Sequence, residues 1–234
     1  ALAAQARGAD RIELCADLSD GGTTPPYGTL AITRDRLRIP LYALIRPRTG
    51  DFCYNASEID VMLRDIAMCA KVGCDGVVIG ALDTHGDVDE AVCRALIAAA
   101  GKPGVTFHRA FDAARDRARA LETIIELGCE RVLTSGGEAN ALDGAERIAG
   151  FVKQAGSRLH VMAGAGLDAG NIREVARRSS AREFHGSARS MRGSLSRHSN
   201  DRLPGLEADW WQTDAGIVRA MVEALDRDDN PAMA

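Results

Sequence analysis

The feature that most constrains the fold is a short segment that occurs three times along the chain. Its copies are GADRIEL from Gly8, GCDGVVI from Gly73 and GCERVLT from Gly128. Each copy follows an amphipathic segment rich in alanine or leucine and leads into a run of β-branched residues. A glycine that ends a helix, followed at once by a buried parallel strand, produces this pattern. The sequence therefore predicts a repeated helix–turn–strand unit.

Further strands are predicted between these copies. A looser fourth copy, SSAREFH, begins at Ser179, and apolar runs cover Ile39–Pro47, Gly104–Asp112 and Arg158–Gly166. Seven strands then alternate with helices, which we predict at Thr29–Arg38, Ser57–Val72, Val88–Ala100, Arg115–Leu127, Ala139–Ala155, Asn171–Arg178 and Asp214–Leu225. Continuous alternation without a Pro/Ser-rich linker predicts a parallel sheet in a single domain over residues 1–234.

Two parallel architectures fit this alternation, a closed (β/α)8 TIM barrel and an open doubly wound sheet. The repeated units recur at every second strand, as expected in a barrel with an even number of strands. The chain also opens on the tail of a helix that needs one preceding strand. We therefore predict a (β/α)8 barrel whose first strand is missing from this sequence, with the doubly wound sheet as the alternative.

Composition and charge exclude several classes of protein. The 234 residues carry a formal net charge of −4 and no face dense in lysine or arginine, which argues against nucleic acid as a partner. No apolar run reaches the length of a membrane span, and the first residues do not resemble a signal peptide. The six cysteines form no C-x-x-C pair and are expected to be reduced thiols. We predict a cytoplasmic protein with no membrane partner.

Four polar residues are the predicted catalytic groups. Glu13, Arg46, His108 and His185 each follow apolar residues of a strand, where an unpaired charge is costly to bury. In a barrel the carboxyl ends of the strands form the mouth of the active site, so these side chains would meet there. Together they supply acid, base and anion-binding groups. The alternative for Glu13 and Arg46 is a structural ion pair between neighbouring strands.

Glycine-rich loops after the last two strands predict an anion site. Backbone N–H groups that precede a helix favour a bound anion, and barrels often bind phosphate at these two loops. The expected anion-binding residues are Gly164, Gly166, Gly186 and Ser187. The competing interpretation is that small residues only allow tight turns.

The cysteines differ in the positions predicted for them. Cys15 ends the first predicted strand at the mouth, and Cys53 follows the next one. Because Cu(I) prefers thiolate and thioether ligands, Cys15 could bind it only together with a second sulfur, for which Cys53 and Met162 are the candidates. The other four are expected to be small buried residues, two on helices and two in the repeated turn: Cys69, Cys93, Cys74 and Cys129.

With these residues in place, the chain resembles the CutC family, the so-called copper homeostasis proteins, over nearly its whole length. The resemblance is carried by GADRIELCADLSDGGTTPPYG, IRPRTGDFCY, GVVIGALD, TFHRAFD, LGCERVLTSGG, VMAGAG and EFHGSARS. It implies a cytoplasmic (β/α)8 barrel that forms a homo-oligomer, commonly a dimer or tetramer. It also implies Cu(I) binding by Cys15, with a second family cysteine on the strand before Ala1.

Two functions therefore remain open from the sequence. The resemblance implies copper homeostasis, with the copper ion as partner. The residues themselves indicate an enzyme that acts on a small anionic or phosphorylated metabolite at the mouth of the barrel.

Overall fold

Seven parallel strands form the central sheet, and their order in the sheet is their order in the chain. The computed structural model describes residues 1–102, 104–198, 200, 202 and 206–226. The strands of the sheet are β1 (Ile12–Leu14), β2 (Leu41–Leu44), β3 (Gly76–Ile79), β4 (Gly104–Phe107), β5 (Arg131–Thr134), β6 (His160–Gly164) and β7 (Glu183–His185).

Helices lie between consecutive strands and complete each βα unit. They are α1 (Leu2–Gln5), α2 (Tyr27–Arg36), α3 (Ala56–Val72), α4 (Glu90–Ala100), α5 (Ala110–Ala113), α6 (Arg117–Glu126), α7 (Ala145–Ala155), α8 (Ile172–Ser179) and α9 (Ala215–Asp226). After the sheet, an antiparallel hairpin joins β8 (Arg189–Arg192) to β9 (Trp210–Thr213).

The strand order decides between the two predicted architectures. A doubly wound sheet reverses its strand order at a switch point, and the order from β1 to β7 contains no reversal. Since parallel crossovers are right-handed, every helix is then placed on the same side of the sheet, which curls into a barrel. Neighbouring helices pack against one another, and α9 packs against α1. The predicted barrel fold is confirmed.

The outer edges of β1 and β7 face each other across the remaining gap. Within the described chain no strand pairs with either edge, and the predicted extra strand, which would precede Ala1, stays a prediction. Side chains link the two edges instead. Arg11 Nη1 lies 3.3 Å from Glu183 Oε2, and His185 Nδ1 lies 3.1 Å from Glu13 Oε2.

Several helices begin later than predicted because polar side chains cap them. Asp89 accepts a hydrogen bond from the Val92 amide, so α4 begins at Glu90 rather than Val88. Asp116 accepts one from the Arg119 amide and delays α6 to Arg117. The predicted helix from Ala139 begins only at Ala145, because residues 139–144 form turns. Helix α5 and the β8–β9 hairpin were not predicted.

Successive residues of each strand point to opposite sides of the sheet. The outward side chains pack against the helices and are almost fully buried: Ala43, Ile45, Val77, Ile79, Phe107 and Val132. The inward side chains include polar groups beside the apolar Leu44 and Val78. Tyr42, Thr106 and Arg131 belong to this inward set.

A charged cluster surrounds the Tyr42 ring at the amino-terminal end of the barrel. The guanidinium carbons of Arg11 and Arg131 lie 5.3 and 5.4 Å from the centre of the ring. The Glu183 carboxylate accepts from both guanidinium groups, and Glu130 accepts from the Tyr42 hydroxyl. We call these five residues the floor network. It joins β1, β2 and β5 to β7, and so holds the gap between β1 and β7 closed.

The Tyr42 ring needs glycine on the strand beside it. A Cβ atom at Gly76 would lie 2.1 Å from Tyr42 Cε1. We predict that Gly76→Ala lowers the free energy of unfolding by about 1–3 kcal/mol, because overpacking displaces the ring and the two arginines stacked on it. Urea denaturation measures the effect. Gly150→Ala in α7 is the control, since its new Cβ would meet no atom within 4 Å. Equal stability of Gly76→Ala and the unchanged protein would contradict the account.

Candidate functional site

A carboxylate–imidazole pair spans the gap between β1 and β7. Glu13 lies in β1 with only 7% of its side chain exposed, and His185 ends β7 with 33% exposed. Glu13 Oε2 lies 3.1 Å from His185 Nδ1, and Glu13 Oε1 lies 3.4 Å from Arg11 Nη2. The structure therefore brings together two of the four predicted catalytic residues.

The charges around Glu13 keep it ionised. Burial raises the pKa of Glu13, but His185, Arg11 and Arg131 together outweigh burial and lower it below its ordinary value. An ionised carboxylate only accepts hydrogen bonds, so the Nδ1 atom of His185 must carry the proton that it shares with Glu13. This arrangement leaves Nε2 of His185 as the atom that can take up or release a proton.

His108 is buried at the end of β4 and is held by its backbone surroundings. The Ala110 amide donates to its Nδ1 at 3.1 Å, so Nε2 carries the hydrogen, and Nε2 has no partner in the described chain. Burial, followed by the charge of Arg46, lowers the pKa of His108 to about 3. His108 is thus a neutral hydrogen-bond donor whose donor atom is unused.

Arg46 is a buried cation that is held by carbonyl groups. Its Nη1 donates to the carbonyl oxygens of Asp20 at 3.1 Å and Gly22 at 3.0 Å, and its Nη2 donates to that of Gly50 at 2.8 Å. The side chain ties the loops after β1 and β2 together. Its Nε has no partner, and no carboxylate of the described residues pairs with the guanidinium. The alternative Glu13–Arg46 ion pair is wrong, because Glu13 pairs with His185 and Arg11.

One aromatic side chain connects Arg46 to His108. The Arg46 guanidinium carbon lies 5.1 Å from the centre of the Phe52 ring, and that ring centre lies 5.1 Å from the centre of the His108 ring. Thr106, two residues before His108 on the same face of β4, is fully buried, and its hydroxyl has no partner. The hydroxyl of Thr106 and Nε2 of His108 are therefore unused hydrogen-bond donors inside the barrel. They lie near the Arg46 guanidinium, which has no carboxylate partner among the described residues.

The predicted anion-binding glycines each have a reason in packing. A Cβ at Gly164 would lie 2.5 Å from Leu133 Cδ1, and one at Gly186 would lie 2.6 Å from Met221 Cε. Gly166 has a φ of +67°, a conformation that favours glycine. The competing interpretation, that these residues allow close packing and tight turns, accounts for all three.

The loop before α8 provides its own negative charge. Asp168 Oδ1 accepts hydrogen bonds from the amides of Gly170 at 2.8 Å and Asn171 at 3.0 Å. In the next loop the Ser187 carbonyl accepts from the Thr213 hydroxyl. Because a side chain already uses these donors, the loops offer less to an external anion than the sequence indicated, and their anion site stays a prediction.

Cys15 lies at the mouth beside apolar residues. It packs against the cluster of Tyr42, Leu44 and Val78. Burial raises the pKa of its thiol, and the negative charges of Glu13 and Asp17 raise it further. This environment favours the protonated thiol over the thiolate that binds metals.

Both candidate second sulfurs are engaged elsewhere. Cys53 Sγ donates to the carbonyl of Asp83 at 3.1 Å, and Met162 Sδ accepts from Arg11 Nη2 at 2.9 Å. The described residues also include no group of three or more histidine, cysteine or acidic side chains that could hold a metal. On these contacts the mouth does not fit a two-sulfur Cu(I) site.

Arg11 and Phe52 were not among the site residues predicted from the sequence. Asp112 fastens the loop after β5 by accepting from the Thr134 hydroxyl and from the amides of Ser135 and Gly137. A signal for Arg11 was present, because it occupies the same place in GADR as Arg131 does in GCER. Phe52 follows a loop and had no comparable signal.

In the described part of the chain, no helix is both long and apolar enough to cross a bilayer.

Comparisons with known proteins give a consistent family. A model described as the CutC family matches residues 1–190. A CutC family protein of Xanthomonas axonopodis pv. citri (strain 306) is 54% identical over 225 residues, which is 96% of this chain and 94% of that protein. The crystal structure of the putative copper homeostasis protein CutC from Streptococcus agalactiae has a TM-score of 0.73 at 30% identity, and covers 76% of this chain and 88% of that one.

A more distant similarity bears on the fold alone. KGPDC from Streptococcus mutans has a TM-score of 0.59 at 11% identity and covers 97% of this chain and 91% of that one.

The low pKa of His108 predicts a pH dependence of stability. The native pKa of about 3 lies below the ordinary value of about 6.5, so the unfolded chain binds this proton first. The stabilisation is complete above about pH 6.5 and falls by about 1.4 kcal/mol per pH unit as the pH decreases towards 3. His108→Gln should remove this part of the slope, measured by urea denaturation at several pH values. The exposed His85→Gln is the control, and equal slopes in all three proteins would contradict the prediction.

Proposed function

This chain belongs to the CutC family, and on that premise we propose that it takes part in copper homeostasis, the role in the name of the Streptococcus agalactiae relative. We also propose that the mouth of its barrel is an enzyme site for a small anionic metabolite. The first proposal is supported by the similarity of this chain to CutC family proteins, and the second by the geometry of the barrel mouth.

The single observation that carries the second proposal is the uncompensated charge of Arg46. A guanidinium that is 93% buried and bonded only to carbonyl groups lacks the counter-charge that buried ions normally have. A phosphate or carboxylate oxygen of a ligand would supply that charge. The free donors Arg46 Nε and His108 Nε2 would bond it, since both are unused.

Proton transfer at this site is assigned to His185. Its Nδ1 is held by Glu13, and its Nε2 exchanges a proton with the ligand as general acid or base. Glu13 positions the ring, as the carboxylate does in other carboxylate–histidine pairs. Arg46 and His108 bind and orient the ligand.

The proposed role in copper homeostasis does not by itself say which residues bind the metal. Cys15 stays the predicted Cu(I) ligand at the mouth, although neither Cys53 nor Met162 offers it a free sulfur. The cytoplasmic location and the homo-oligomer also stay predictions. The β8–β9 hairpin exposes Met191, Trp210 and Trp211, the kind of apolar surface that an interface between copies would use.

Paired substitutions at Arg46 test the anion site. Arg46→Met and Arg46→Lys both lose the bonding geometry to the loop carbonyls, but only the methionine variant loses the charge. We predict that a panel of phosphorylated and carboxylated metabolites contains a ligand whose affinity falls at least about tenfold in Arg46→Met and much less in Arg46→Lys. Isothermal titration calorimetry measures the affinity. The account fails if nothing in the panel binds, or if both variants bind equally.

Glu13→Gln separates binding from chemistry in the same assay. It removes a negative charge near the site, so it should not weaken binding of the anion. Turnover of a reacting ligand should nevertheless fall by about 10²–10⁴-fold, because His185 loses the carboxylate that holds it. Glu146→Gln on the exposed side of α7 should change neither quantity.

The copper role is tested by anaerobic titration of the full chain with Cu(I). We expect stoichiometric binding by the unchanged protein, and Cys15→Ala shows whether the mouth holds the ion, because a site that uses Cys15 would lose its Cu(I) in this variant. Undiminished stoichiometry in Cys15→Ala would exclude Cys15 as the ligand. Absence of Cu(I) binding by the unchanged protein would contradict a copper-binding role altogether.

A further inference from the structure

The repeated helix–turn–strand unit contains the same hydrogen bond in all three copies. The amide of the residue after the turn glycine donates to the carbonyl five residues earlier, and the N···O distances are 3.2, 3.0 and 3.3 Å. This Schellman pattern brings the side chains of those two residues into contact at the end of the helix. The pairs so placed are Ala4 with Ala9, Cys69 with Cys74, and Ile124 with Cys129.

Only the middle copy places two thiols in this contact. Cys69 lies in the last turn of α3 with 1% of its surface exposed, and Cys74 follows Gly73 with 7% exposed. The first copy shows that two alanines satisfy the same turn, and the third shows that isoleucine and cysteine do. Packing of the turn therefore does not require a pair of cysteines.

The two thiols influence each other directly. A hydrogen bond joins the two thiols, so their sulfur atoms lie close enough to share a ligand.

Arg34 lies near Cys74 and also lines a cavity between α2 and α3, which neither cysteine lines. The Arg34 guanidinium donates to Asp75 Oδ2 at 2.7 Å and to the Leu37 carbonyl at 2.8 Å. Asp75 directly follows Cys74 in the chain. Met68 and Val72 line the same cavity. Met68 brings a thioether to the wall of this cavity, and a thioether is the other kind of sulfur ligand that Cu(I) accepts.

We propose that Cys69 and Cys74 bind one Cu(I) ion as a two-coordinate bis-thiolate site. Both thiols lose their protons, two Cu–S bonds form, and two protons are released for each ion, with no change in the oxidation state of copper. The proposal rests on the copper role proposed above and moves the metal from the mouth to the opposite end of the barrel.

The chemistry of the pair selects this metal. Structural zinc takes four ligands, whereas two sulfurs in an apolar setting suit a soft monovalent ion. The described residues bring no third cysteine, histidine or acidic group into a cluster with this pair.

Anaerobic Cu(I) titration against a chromophoric chelator tests the site with the full chain. Cys69→Ala/Cys74→Ala gives the middle turn the alanine pair of the first copy, so the fold is expected to persist. We expect this variant to lose one equivalent of Cu(I), and either single substitution to weaken that equivalent at least 100-fold. Cys129→Ala, at the matching place in the third copy, and Cys15→Ala should retain it.

The outcomes separate this proposal from the copper role itself. If the double variant binds every equivalent that the unchanged protein binds, the Cys69–Cys74 site is overturned and the copper role stands. If the unchanged protein binds no Cu(I), both fail. Should the double variant not fold, X-ray absorption on copper-loaded Cys15→Ala decides. Two sulfur neighbours in linear geometry support the site, and nitrogen or oxygen neighbours overturn it.

Discussion

The structure depends on the floor network that joins the edge strands β1 and β7. Arg11, directly before β1, and Arg131 on β5 stack on the Tyr42 ring, and both reach Glu183 on β7. Charges that are half-buried cost free energy unless they are paired, and here each pairing reaches across the interior of the barrel. The network therefore holds β1 beside β7 without a backbone hydrogen bond between them. The Glu13–His185 pair exists because these two strands are held at this distance.

The mouth and the opposite end of the barrel have different chemistry. At the mouth, an ionised Glu13 faces His185, while Arg46 and the neutral His108 keep unused donors. That set suits an anion and a proton transfer better than a soft metal. At the far end, the repeated turn places two thiols together beside Arg34. The two functions that the sequence left open then need not compete for the same residues, since copper and a metabolite would bind at separate places.

Much of the fold could be predicted because it follows local rules that repeat. Helix-ending glycines and buried β-branched runs located all seven strands, and their regular alternation indicated a barrel. The site was less predictable because its pairings join residues far apart in the chain. Glu13 finds His185 rather than Arg46 only because the sheet curls until its edges meet. Arg46 bonds loop carbonyls, which carry no side-chain signal in a sequence. The contact between Cys69 and Cys74 follows from turn geometry, which their description as small buried residues did not use.

The most direct test of the mouth as a ligand site is a crystal structure grown in inorganic phosphate. The account predicts a phosphate inside the barrel, with an oxygen bonded to Arg46 Nε or His108 Nε2 and within reach of His185. Those two donors are buried and unused in the described chain, so a bound anion should satisfy them before any surface group. A well-ordered mouth that holds only water, with phosphate bound at the loops near Gly166 and Ser187 or nowhere, would contradict it.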